Sequence, residues 1–169
     1  LLQALITLIP KGSASAGPDQ LRPISVTSAV YRLWAATRMR VIIRWQERWL
    51  HPGQRGFRQK NGTSDVYYAL ALRLEEALLS GEALAGLSYD YAKCFDRLPH
   101  SIMLTLLRKL GLPPRITRTL EAVYRQMRRR FRAAGGVGKE FTATNGILQG
   151  CPISVVALNA IMGMWASAV

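Results

Sequence analysis

No charged side chain occurs between Phe141 and Val169, and the stretch from Ile153 to Val169 is apolar but for Ser154, Asn159, Gly163 and Ser167. Pro152 is placed to open a helix there, because the first turn of a helix has no use for its missing N–H. A helix so apolar either crosses a bilayer or is enclosed by the rest of the chain. The polar positions within it favour enclosure, and an enclosed helix needs amphipathic neighbours to cover it. With 49% apolar positions among 169 residues, the chain has the material for such a core.

The charge outside that stretch is strongly one-sided, with 23 Lys or Arg against 10 Asp or Glu and a net charge of +13. Such a chain suits a polyanionic partner, nucleic acid first and anionic membrane second. The excess is not spread evenly. Residues 22–58 carry +7 and residues 108–132 carry +8, whereas residues 59–107 carry −2 and include Asp90 and Asp96. Two basic flanks around a carboxylate-bearing centre fit an enzyme that holds a polyanion while a metal works on it; they fit two solvated helix faces equally well. Cys94 and Cys151 lack metal-ligand spacing, and Leu1–Ile9 has no basic lead-in of a secretory signal, so an intracellular chain, nuclear or cytoplasmic, is expected.

The covering elements follow from periodicity. Val30, Leu33, Trp34, Thr37, Val41, Ile42, Trp45 and Trp49 recur at helical spacing, with Arg40, Arg44 and Arg48 on another face. A second helix, capped by Thr63 or Ser64, runs through Val66, Leu70, Leu74 and Leu78 to Gly81. Leu84–Tyr91 is short and partly alternating, which predicts a strand delivering Asp90 at its end. Two more helices are expected, from His100 to Leu110 and from Ile116 to Met127, with Arg118, Arg125, Arg128 and Arg129 crowding the second. Arg130–Ala134 and Lys139–Thr144 flank Gly135-Gly136 as a β-hairpin. The sum is an α+β fold, helix-rich with a small antiparallel sheet.

Three clusters could carry chemistry. Asp90 ends an apolar segment, where a carboxylate is costly unless paired, hydrogen-bonded or bound to a cation, so it is either an Mg²⁺ ligand or the partner of Lys93, an Arg or a turn. Asp96 precedes a helix and suits a cap or turn. Asn145–Ser154 is a glycine-punctuated loop entering the apolar helix, where a phosphate or base could rest beside Gln149 and Gly150, or which is a plain loop-to-helix joint. Lys11 and Arg22, in Ile9–Ser13 and Leu21–Ser25, either clamp a triphosphate or are surface cations.

Taken in order, these clusters resemble the reverse transcriptase domain of non-LTR retrotransposons and group II introns over nearly the whole chain. Ile9-Pro10-Lys11 and Arg22-Pro23-Ile24-Ser25 are similar to the family's fingers motifs. Gln54-Arg55-Gly56-Phe57-Arg58 with Thr63-Ser64-Asp65 resembles its Gln-x-Gly-Phe element. Asp90 to Asp96 resembles the Asp-x-x-Lys-x-Phe-Asp palm motif, and Gln149-Gly150-Cys151-Pro152-Ile153-Ser154 the Gln-Gly-x-Pro-x-Ser motif, followed by Leu158 and Asn159.

The resemblance implies right-hand polymerase fingers over about 1–83 and the first part of a palm over 84–169. It assigns Asp90, supplemented by the Tyr91 carbonyl, to a pair of Mg²⁺ ions, and Phe95 to a steric gate that excludes a ribonucleotide 2′-OH. Lys11 and Arg22 would neutralise the triphosphate of an incoming dNTP, with Gln149 and Gly150 lining the nucleotide and template side. Arg40, Arg44, Arg48, Arg55, Arg58, Arg125, Arg128 and Arg129 would track an RNA or DNA template with its primer. The family's aromatic-x-Asp-Asp turn does not occur before Val169, so the rest of the palm and the thumb are expected from a longer parent protein, and this chain alone is expected to be inactive. The rival expectations are a decayed reverse transcriptase acting only as a nucleic-acid-binding module, and a membrane-associated protein inserting residues 153–169.

Overall fold

The computed structural model describes residues 2–12, 17, 20–133 and 135–168; Leu1, Ser13, Ala134 and Val169 of the sequence patterns above lie outside them. The order is β1 (Gln3–Pro10), β2 (Leu21–Thr27), α1 (Ala29–Gln46), α2 (Thr63–Ser80), α3 (Cys94–Arg97), α4 (His100–Lys109), α5 (Pro114–Gln126), β3 (Arg128–Ala133), β4 (Gly136–Val137) and α6 (Pro152–Ala166).

The charge-free segment is the buried centre. Ile153, Val156, Ala157, Asn159 and Ala160 of α6 are buried, and the helix packs against α1 and α4. Among the described residues no helix is long and apolar enough to cross a membrane. The covering faces are Met103, Leu104 and Leu107 of α4, and Ile116, Leu120, Val123 and Tyr124 of α5. Each side chain of that size contributes about 1.5–3 kcal/mol when fully buried. Pro113-Pro114 opens α5 one residue beyond Gly111, whose φ of +80° turns the chain out of α4. On α1 the buried face is Tyr31, Ala35, Ile42, Trp45 and Gln46; Val30, Leu33 and Val41 stay exposed, so the helical period was correct but the stripe rotated.

The four strands form one sheet in the order β2-β1-β3-β4. β1 and β2 are an antiparallel hairpin with Ile9 opposite Arg22. β3 returns after five helices to lie parallel to β1, so the sheet is mixed rather than antiparallel. Arg128 and Arg129 therefore belong to a strand and not to the helix before it. A hairpin forms, but Gly136 belongs to its second strand and not to the turn: among the described residues only Gly136–Val137 pairs with β3 by a ladder, and of Lys139–Thr144 only Phe141 bridges back, to Arg129.

One expectation fails for lack of a packing partner. Leu84–Tyr91 is not a strand: it is extended and exposed, with Leu87 83% accessible, and no described strand lies beside it to accept its backbone groups. Tyr89 and Tyr91 instead set their rings edge-on against Trp165 at the end of α6. Helix α2 forms, with Gly62 rather than Thr63 or Ser64 at its N-cap and Gly81 left-handed at its end, but only Ala77 is buried.

Asn159 explains the one amide in the apolar helix. Its Nδ2 donates to Gln46 Oε1 at 3.2 Å and to the Gly56 carbonyl at 3.2 Å, while Gln54 Nε2 donates to its Oδ1 at 3.0 Å and to its carbonyl at 3.1 Å. Helix α1 and the 54–57 loop are thereby fastened to α6. Replacing Asn159 with Leu should strand the buried Gln46 oxygen and lower stability by about 2–4 kcal/mol, read as a shift in denaturant midpoint at unchanged slope.

Candidate nucleotide and nucleic-acid site

The loop of residues 144–151 is sewn to two separate segments by its backbone. On one side His100 N–H donates to the Thr144 carbonyl at 3.1 Å, Gly146 N–H to Leu98 at 2.9 Å, and Ile147 N–H to Phe95 at 2.8 Å. On the other, Ser25 N–H at the free edge of β2 donates to the Gln149 carbonyl at 2.8 Å. The glycines make this approach possible. Gly146 has φ +84°, and a Cβ there would lie 3.1 Å from the Asp96 carbonyl; Gly150 has φ +104°, and its Cβ would lie 3.3 Å from the Ser25 carbonyl.

The result brings three distant motifs to one cavity. Ile24 of β2, Phe95 of α3, and Gln149, Gly150, Cys151 and Pro152 line a cavity of about 430 Å³, joined by Phe57 and Val155. Asp96, which the sequence marked only as a cap or turn, accepts a hydrogen bond from Gln149 Nε2 at 3.1 Å. A carboxylate can only accept, so this contact fixes which way the Gln149 amide points and leaves its Oε1 as the free acceptor. Lys11 and Arg22 lie at the same end of the β1–β2 hairpin, both exposed, with Lys11 N–H bonded to the Gln20 carbonyl.

The remaining cations divide. Arg40 and Arg44 on α1, Arg48 in the turn after it, Arg125 on α5 and Arg128 on β3 are exposed, Arg128 facing Glu140 at 3.8 Å. Arg55 donates to Asn61 at 2.9 Å, and Arg58 is ion-paired to Glu47 at 2.7 Å. Arg129 is the correction. It is 6% exposed, with Nη2 donating to the Gly146 carbonyl at 3.1 Å and Nε lacking a partner, so it braces the loop from inside and cannot track a phosphate backbone. Burial lowers its pKa, and the charges of Tyr124 and Asp96 oppose that.

Beside it, His100 Nε2 donates to the same Gly146 carbonyl at 2.8 Å and its ring lies against Tyr124. Burial holds the His100 pKa below 6.5, the Arg129 charge pushes the same way, and the bond to Gly146 opposes them. Burial also pushes the Tyr124 hydroxyl up to about 12, and it shares a hydrogen bond with Ser154.

Asp90 stands apart from all this. It is exposed on the extended segment next to Tyr91, and among the described residues no three His, Cys, Asp or Glu side chains gather closely enough to hold a metal ion. The donors present do not fit a two-ion centre.

Strand β2, the short helix α3 through Phe95 and the Gln149-Gly150 loop thus meet at one cavity. The sequence profile described as reverse transcriptase (RNA-dependent DNA polymerase) matches residues 9–167. The chain belongs to the reverse transcriptase family. It is 29% identical over 162 residues to the retrovirus-related Pol polyprotein from type-2 retrotransposable element R2DM of Drosophila melanogaster, covering 94% of this chain and 15% of that protein. It is 27% identical over 161 residues to the corresponding polyprotein of the R2 element of Nasonia vitripennis, covering 95% and 16%. A probable RNA-directed DNA polymerase from transposon BS of Drosophila melanogaster is 28% identical over 116 residues, covering 67% and 13%. The chain therefore spans about one-sixth of the length of these relatives or less. Members of the family generally use a divalent metal.

Phe57 and Asn159 stand in the sequence motifs, but the motifs assigned neither a part in building the site. Asn159 had a signal, being an amide in an apolar helix; the placement of Phe57 had none, because it depends on a backbone torsion.

His100 supplies a test of the loop's bracing. Its pKa is depressed in the folded state, so the unfolded chain binds the extra proton more readily and stability falls as pH drops below about 6.5. His100→Gln keeps a donor without a titrating ring and should lose less stability between pH 7.5 and 5 in denaturant titrations.

Proposed function

We propose that this chain is the nucleotide- and template-binding part of an RNA-directed DNA polymerase, with fingers over about 1–83 and the beginning of a palm over 84–169. The observation that carries the proposal is the convergence of Ile24, Phe95, Gln149 and Gly150 on one cavity beside the Arg22-bearing hairpin. Phe95 occupies space that a 2′-hydroxyl would need, favouring dNTPs by exclusion. Gln149, turned by Asp96, offers its carbonyl oxygen to a donor on the nucleotide. Lys11 and Arg22 would meet the triphosphate, and the exposed arginines of α1, α5 and β3 would hold template and primer through phosphates, giving affinity without sequence preference.

The polymerase reaction itself needs two Mg²⁺ ions that Asp90 and the Tyr91 carbonyl cannot hold alone; further carboxylates would come from the parent polypeptide, together with a thumb. No primer extension is therefore expected from the 169-residue chain. An extension signal abolished by Asp90→Ala would overturn that. A binding-only relic would hold the same nucleic acid, and the parent reading frame separates the two readings: an Asp-Asp turn within a few tens of residues downstream supports the polymerase, and its absence supports the relic.

Binding is expected to be electrostatic. The logarithm of the association constant for a single-stranded RNA oligonucleotide should fall linearly with the logarithm of salt concentration, by about 0.7 per phosphate neutralised. Arg40→Ala and Arg44→Ala should each lessen that slope. Arg129→Lys should instead lower the melting temperature and leave the slope unchanged, because the buried side chain meets no phosphate.

A further inference from the structure

We infer that Phe57 is a stacking platform for an unpaired nucleobase in the cavity that it shares with Phe95. Phe57 has φ +54°, in the left-handed region that costs a non-glycine residue free energy, and the residue is 67% exposed. A glycine would make the same turn without strain, and an alanine would leave less apolar surface in water. Neither local conformation nor core packing accounts for a phenylalanine here.

The surroundings hold the backbone on either side of it in place. Gly56, immediately before it, gives its carbonyl to Asn159 Nδ2 at 3.2 Å, and Gln54 is bonded twice to Asn159. On the other side Arg58 is tied to Glu47 at 2.7 Å. The strained residue is thus fixed from both flanks, as expected where a strained conformation serves a site. Its ring forms one wall of the 430 Å³ cavity, with Phe95, Ile24, Pro152 and Val155 as the other apolar lining and Gln149 as the polar group.

Flat apolar walls with one amide fit a heteroaromatic ring that carries hydrogen-bonding edges, and aromatic side chains stack on bases of any sequence. A nucleobase can come from a free nucleotide or from a single strand, and the two share this chemistry. The inference rests on the nucleic-acid function proposed above.

The test uses the 169-residue chain and two fluorescent probes, 2-aminopurine deoxyriboside triphosphate and a single-stranded RNA carrying one 2-aminopurine. Stacking on Phe57 should quench the fluorophore in at least one of them, and the probe that responds identifies the source of the base. Phe57→Gly should abolish the quench and weaken that probe's binding roughly 5- to 150-fold, with a denaturation midpoint equal to or above that of the parent chain because the strain is relieved. Phe57→Tyr should retain both quench and affinity. Binding and quench unchanged in Phe57→Gly would overturn the inference and leave the proposed function standing. Failure of the parent chain to bind either probe would overturn both.

Discussion

The backbone of residues 144–149 is hydrogen-bonded on both sides, to the 95–100 segment through Phe95, Leu98 and His100 and to strand β2 through Ser25. Everything that resembles a site depends on that double attachment. Without it the hairpin carrying Lys11 and Arg22, the turn carrying Phe95 and Asp96, and the loop carrying Gln149 would be three unconnected surface features. A loop can be gripped this way only if its own side chains stay clear, which is why glycines stand at 146 and 150. The loop's interior face is held by a buried cation, Arg129, and a buried neutral ring, His100, that share one carbonyl acceptor. Such a polar network is favourable only when nearly every member is satisfied, so it adds specificity of conformation as well as stability.

Energy and function are arranged in separate places. The apolar free energy resides in α6 and the helices around it, whereas the cavity lies at the N-terminal end of α6, where the charge-free helix meets the glycine loop. The basic surface lies outside both. Exposed arginines occupy elements whose other faces are anchored in the core, so they can meet a polyanion without the fold depending on them. By contrast the 84–91 segment and α2 leave large apolar side chains in water, Leu78 and Leu87 above 80% accessible, and Asp90 shares that exposed region. Ile24, Phe95 and Gln149 gather at one cavity, whereas Asp90 is not part of its lining and, among the described residues, no cluster of metal-binding side chains forms.

Much of this was legible in the sequence because helical periodicity and glycine and proline punctuation are local. Helices α4, α5 and α6 lie where the sequence pattern puts helices from His100, from Ile116 and behind Pro152. The failures share a physical cause. Leu84–Tyr91 has the composition of a strand, but a strand exists only with a neighbour. Arg129 has the sequence context of a basic surface, in a run of three arginines, yet period-two alternation in β3 turns it inward while Arg128 and Arg130 stay out. The parallel pairing of β3 with β1 joins residues more than a hundred positions apart, and the Asp96–Gln149 contact spans 53; neither leaves a mark on local pattern.

Native-state hydrogen exchange tests the double attachment directly. If the loop is an integral part of the fold, the amides of Ser25, Gly146, Ile147 and His100 should exchange only with global unfolding, at the protection of the α6 amides, while residues 84–91 exchange almost unprotected. Protection of those four amides lost in a separate low-energy opening, with the α6 core still closed, would contradict the account.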